Sequence, residues 1–284
     1  MYNFYTKQNM EKIMKKIMII IPLIFQVTSV LASPCVFNDK NLSFNGTSVE
    51  QAECLLRPVL RFGQIGKQKN IPSFLKTRLE ASHIDFTLLE LRQYLKKENI
   101  NEEDLGGPVN ISLHPKTKYF LIHDTSYNQG AKDFPKDMNT TWSGNKLSKS
   151  PQKAHIFINR RGESITQVDT SENWRATKFE IKDGNRRNLF INIELIQPRR
   201  SYPIGTNKND ALAPTPGFTK EQLRRLALIY YTNSLRAGHY LIPAFHAVID
   251  TGFTNGHDDP QNFDLDEFDR QLKDVYKSIR TTHQ

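Results

Sequence analysis

The sequence predicts an α/β fold, a mixed sheet with flanking helices, plus a small and mostly helical N-terminal extension. Three observations lead there. Short apolar runs at Tyr119–Ile122 and Leu189–Ile196, with a hairpin signal between them, have the length and composition of strands. Residues 219–238 read as one capped amphipathic helix that can cover such a sheet. Residues 50–100 look helical, and Gly106-Gly107-Pro108 then marks the boundary of the principal domain. A loop-rich C-terminal region is expected to follow, with helices packed on the faces of the sheet.

From the N-terminus, Lys12, Lys15 and Lys16 precede the apolar run Ile17–Phe25, and Val30-Leu31-Ala32-Ser33 follows. A basic start, a short apolar core and small residues at the cut are the order of a secretory signal. Residues 1–33 are expected to be that signal, cleaved after Ala32, with Met14 as an alternative start. The run is too short to anchor in a bilayer, and Pro34 before Cys35 spoils a lipoprotein signal. The expectation is an exported protein, periplasmic or secreted, with no stable membrane anchor. Residues 34–115 then form the helical extension and 116–284 the principal domain.

Removing residues 1–33 takes away four lysines and one glutamate, so the formal net charge falls from +9 to +6. A modest positive balance suits work near an anionic polymer. It does not point to nucleic acid, because no dense Lys/Arg stripe interleaves with aromatic residues. Cys35 and Cys54, the two cysteines, both fall near the mature N-terminus. In an oxidising compartment a structural disulfide between them is the default.

In the extension, Ser48-Val49-Glu50-Gln51 starts a helix with Leu55, Leu56, Val59 and Leu60 on its apolar face, and a second helix runs from about Thr87 to Lys97. Tyr119–Ile122 is a strand that stops at His123-Asp124-Thr125-Ser126. His155–Asn159 and Glu163–Val168 flank Arg160-Arg161-Gly162 as a hairpin with glycine in the turn. Leu189–Ile196 is a strand with Glu194 inside it. Thr219 and Gln222 form a capping box, Leu223, Leu226, Ala227, Tyr230 and Ser234 line one face, and Gly238 ends the helix.

Three features bear chemistry: His123 where an apolar strand runs out, His246 in Pro243-Ala244-Phe245-His246, and the run Gly256-His257-Asp258-Asp259-Pro260. Imidazole and carboxylate are the ligands of catalytic zinc, three from the protein with one position left for water. Glu194 between isoleucine and leucine is an unfavourable strand residue unless it has a function.

From about Tyr119 to Phe268 the chain resembles the zinc amidases that include phage-lysozyme-type amidases and animal peptidoglycan recognition proteins. The matching pieces keep that family's order: Phe120–Ser126 for its first strand, Ala154–Glu163 for its hairpin with Gln167 after it, Asn192-Ile193-Glu194-Leu195 for its acidic strand, Phe218–Gln222 for its helix opening, and Asp259-Pro260 with Phe263 for its closing signature. The resemblance implies zinc held by His123, His246 and Asp259. It implies Glu194 as general base and His257 as the group steadying the oxyanion.

An alternative alignment takes Gly256-His257-Asp258-Asp259 as the segment around the second histidine, making His257 a ligand with Asp266 or Asp269. Asn192 replaces a usual glycine, and Arg175 follows Trp174 where relatives often have histidine. His155 reads as structural, while Tyr127, Trp174 and Arg175 are candidates to line a groove. The implied activity is hydrolysis of the N-acetylmuramoyl–L-alanine amide of peptidoglycan or muropeptides by a monomer. The alternatives are a peptidoglycan-binding module without hydrolysis, or an antibacterial effector with the same reaction.

Overall fold

The structure is a computed structural model. It describes residues 35–127, 130–148, 154–201, 211–254 and 256–282, and the leader expected at 1–33 lies outside the described residues. No helix among them is long and apolar enough to cross a membrane.

The chain opens with a two-stranded pair, β1 (Phe37–Asn38) and β2 (Ser43–Phe44), followed by α1 (Ser48–Leu55), α2 (Ser73–Glu80) and α3 (Leu88–Lys97). Then come β3 (Tyr119–Tyr127), β4 (Ile156–Ile158), β5 (Ser164–Thr166), α4 (Lys178–Lys182) and β6 (Phe190–Pro198). A small pair, β7 (Arg200–Ser201) and β8 (Ala211–Leu212), precedes α5 (Lys220–Ala237), β9 (Ile242–Phe245), α6 (His246–Ile249) and α7 (Leu265–Thr281).

The central sheet has the order β5-β4-β6-β3-β9, with β5 antiparallel at one edge and every other pair parallel. Parallel strands covered on both faces read as near-continuous apolar runs. Accordingly β6 is buried at every residue but Glu194, which is partly exposed. The result is a mixed α/β architecture with a central mixed sheet flanked by helices.

Local sequence sets the helix ends. Threonine caps with an acidic or amide partner three residues on, Thr47/Glu50, Thr87/Glu90, Thr177/Glu180 and Thr219/Gln222, start α1, α3, α4 and α5. Gly238, at φ 75°, ends α5 in a left-handed conformation. Three expectations shift. The first helix stops at Leu55, because Pro58 cannot continue it. Leu56 and Val59 are still buried, but Leu60 is 47% exposed. β3 does not stop at His123; its pairing with β6 carries it to Tyr127. The C-terminal region is loop-rich only as far as Asp264; the seventeen-residue helix α7 follows, with Phe268, Leu272, Val275 and Ile279 at intervals of four, three and four.

The extension and the sheet share one hydrophobic core. Leu55, Leu75, Leu91 and Tyr94 join the buried cluster that holds Leu226, Phe268 and Leu272. Polar ties reinforce this packing: Asp269 accepts the Leu75 N–H at 2.7 Å, and Tyr119 donates from its hydroxyl to Gln51 at 2.9 Å. The Cys35–Cys54 disulfide pins the start of the described chain to α1. Leu272 is fully buried, and Tyr231 donates to its carbonyl at 3.0 Å. Leu272→Ala should therefore cost about 2–5 kcal/mol in chemical unfolding, and a loss under 1 kcal/mol would contradict this packing.

Candidate metal centre

The parallel register of β3 with its neighbours builds the site. Ile122 pairs with Phe245, so His123 within β3 and His246 just past the end of β9 lie at one level. His123 pairs with Glu194 on the other side. The loop before α7 brings Asp259, tied to α6 by the Ala247 N–H donating to the Asp259 carbonyl at 2.9 Å. The three side chains are buried, and their ligand atoms form a group that could hold a metal ion.

The spacing tests the fit. His123 Nδ1 is 2.9 Å from His246 Nδ1, His246 Nδ1 is 3.1 Å from Asp259 Oδ2, and His123 Nδ1 is 3.7 Å from Asp259 Oδ2. Zinc bonds of about 2.0–2.2 Å at tetrahedral angles set ligand atoms about 3.3–3.5 Å apart. The three observed separations bracket that value. The donor set, two imidazoles and one carboxylate, is also the one zinc takes.

Each imidazole is held from behind. His123 Nε2 lies 2.9 Å from Asn192 Oδ1, and His246 Nε2 lies 3.1 Å from Asp250 Oδ2. Burial and the neighbouring His246 push His123 down to about 3, so its ring is neutral. Burial opposes charge on His246 too, but Asp259 and Asp250 outweigh it and raise that ring to about 10. Asp259 is buried yet held well below the usual carboxylate range by His246. Positive charge is thus favoured on His246, beside the two carboxylates, and disfavoured on His123.

Glu194 accepts from the Thr125 hydroxyl at 2.7 Å. Burial first, then Asp259, push its carboxyl up to about 8. His257 stacks on His246 with ring centroids 4.3 Å apart, and its Nδ1 is 3.5 Å from Asp259 Oδ1. Its side chain is 55% exposed, so it caps the cluster from the solvent side. In the alternative alignment, Asp269 would be needed beside His257, but it receives the Leu75 N–H at the start of α2 instead. Asp266 lines a groove with Leu56, Pro72 and Phe263.

His155 is buried; its Nδ1 accepts the Asn192 N–H at 3.0 Å, a contact within the sheet. Tyr127 packs edge-on to Trp142 at 6.0 Å, while Trp174 is half-buried and Arg175 exposed.

The sequence reading did not single out Arg199, which is 1% exposed. It pairs with Asp124 at 2.7 Å and Asp258 at 3.1 Å and donates to Gln197 at 2.8 Å. Asp124 in turn accepts the Gln261 N–H at 3.3 Å, and its own N–H donates to Asp259 Oδ2 at 3.2 Å. This network grips the loop on both sides of Asp259. The only sequence signal was an aspartate directly after His123 in an apolar strand.

No family model matches the chain, and no curated protein does either. Among solved structures, the chain is similar to the crystal structure of a selenomethionine AmpD derivative. The alignment covers 60% of this chain and 98% of that one, at 18% identity and a TM-score of 0.35.

Removing one member of a buried ion pair leaves an uncompensated charge. Arg199→Leu, which strands Asp124 and Asp258, should cost about 3–5 kcal/mol in urea unfolding. A loss below 1 kcal/mol would mean that the network does not hold the loop.

Proposed function

We propose that this protein is a zinc-dependent amidase that hydrolyses the bond between N-acetylmuramic acid and L-alanine in peptidoglycan or its fragments. The observation that carries this reading is the convergence of His123 Nδ1, His246 Nδ1 and Asp259 Oδ2 beside the Glu194 carboxyl. The identity of the bond is supported by the ordered motif resemblance between Tyr119 and Phe268.

His123, His246 and Asp259 would hold the metal, and the chemistry a bound zinc supplies is polarisation of a carbonyl and acidification of water. Glu194 is the proton carrier. The Thr125 hydroxyl fixes one carboxyl oxygen, Oε2, and the other takes the proton of the attacking water and returns it to the departing amide nitrogen. His257, stacked on His246 at the mouth of the cluster, donates to the oxyanion as the tetrahedral centre forms.

We infer that the reaction runs outside the cytoplasm. Two observations support this: the leader-like order of residues 1–33 and the Cys35–Cys54 disulfide, a bond that persists in oxidising compartments.

Two measurements test the reading, bound metal per chain and release of stem peptides from muropeptides. Stoichiometric zinc with free peptides is expected, whereas binding of peptidoglycan without cleavage would overturn the hydrolase. His123→Ala and Asp259→Ala should lose the metal. Glu194→Ala should keep it while turnover falls by about 10²–10⁴. A Glu194→Ala protein with native turnover would remove Glu194 from the chemistry.

A further inference from the structure

The contacts behind the two histidines converge on one short stretch of chain that belongs to none of the recognised motifs. Asn192, whose Oδ1 faces His123 Nε2, donates from Nδ2 to Glu180 Oε1 at 3.3 Å. Glu180 Oε2 accepts from the Ala176 N–H, the Thr177 N–H and the Thr177 hydroxyl, each at 3.0 Å. On the other arm, Asp250, whose Oδ2 faces His246 Nε2, accepts the Lys178 N–H at 3.2 Å and the Phe179 N–H at 3.0 Å. Asn192, Glu180 and Asp250 are all buried.

We propose that the turn Ala176–Glu180 fixes Nδ1 as the metal-facing nitrogen of both histidines, acting on His123 through Asn192 and on His246 through Asp250. The proposal rests on the zinc reading of the cluster, and these are positioning residues rather than catalytic ones.

The argument is one of donor and acceptor polarity. Three donors on Oε2 orient the Glu180 carboxylate and leave Oε1 as an acceptor facing Asn192. Asn192 must then turn its NH₂ toward Glu180 and its oxygen toward His123. An acceptor at Nε2 draws the single proton of a neutral imidazole there and leaves the lone pair on Nδ1. Nδ1 is the nitrogen that faces His246 and Asp259. Asp250, held by two backbone donors, imposes the same polarity on His246. Groups behind a ligand histidine orient the ring and raise its basicity. Here both lead back to one turn of α4.

Glu180→Gln tests this with almost no change of shape. The oxygen of the introduced amide must stay with the three donors, so its NH₂ meets the Asn192 NH₂. Asn192 can then satisfy the introduced amide or His123, but not both. Measurements belong above the Glu180 pKa, which burial raises to about 7.

The zinc Kd, read by chelator competition, should weaken about 10–100-fold. In long-range ¹H–¹⁵N histidine spectra of the metal-free protein, the His123 proton should move from Nε2 toward Nδ1. The double variant Glu180→Gln/Asn192→Asp exchanges carboxylate and amide and restores an acceptor at Nε2. It should recover most of the zinc affinity and the native spectrum. Asp250→Asn, which places an NH₂ among donors, should weaken zinc by a similar factor.

Native zinc affinity with an unmoved His123 proton in Glu180→Gln would overturn the proposal. A loss that the double variant does not rescue would also overturn it, showing a structural role only. If the native chain bound no zinc, the hydrolase reading would fall, while the tautomer spectra would still decide the relay.

Discussion

The register of β3 against its two parallel neighbours is the constraint on which the site depends. Nine residue pairs, from Tyr119↔Phe190 to Tyr127↔Pro198, lock β3 to β6. Side chains alternate faces along a strand, so a slip by one residue would turn His123 away from its partners. With the observed register, Asn192 and Glu194 lie on the same face of β6 and flank His123. One strand thus supplies both the amide that orients the ring and the carboxyl beside it. The opposite face carries Gln197 and Arg199, and Asp124 from β3 meets Arg199 there.

That division by face explains how so many ionisable groups can be buried together. An unpaired buried charge costs several kcal/mol, so each one needs a partner within hydrogen-bond reach. On one face the pairing runs His246 with Asp259 and Asp250. On the other, Arg199 offsets Asp124 and Asp258, although burial still leaves Asp124 raised to about 6. The loop carrying Asp259 lies across the end of β3 and is held from both sides, since Asp259 accepts from the Asp124 backbone while Gln261 donates to the Asp124 carboxylate. A carboxylate fixed by its own loop alone would be free to swing; Asp259 is not.

Much of this was legible in the residues, for identifiable reasons. Apolar runs bounded by polar loops gave the strands, and Thr219 with Gln222 gave α5 its start, because these signals are local. α7 is less legible because its apolar stripe is narrow, only Phe268, Leu272, Val275 and Ile279 among charged neighbours. His123, His246 and Asp259 stood out as candidates through residue type and order, and the structure brings them together. Arg199, Asp250 and Glu180 did not stand out. Their importance lies in which side chain each one faces, and that is settled by strand register and by the folding back of α4, neither of which has a local sequence signature.

The extension is part of the same logic rather than an ornament on the sheet. Val59 forms an antiparallel bridge with Ile65 and a parallel bridge with Gln261, two residues past Asp259. Between the bridged residues, Gly63 turns at φ 68°, and a Cβ added there would sit 3.4 Å from the Asp258 side chain and the His257 carbonyl. The turn therefore packs directly on the segment His257-Asp258-Asp259. Glycine suits the position because the left-handed backbone disfavours other residues, while the 3.4 Å approach is ordinary packing contact. Arg199 holds that segment by charge, and the Val59–Ile65 turn holds it by contact from outside the sheet. Asp259 is therefore braced from both directions, and its carboxylate keeps its place beside His246.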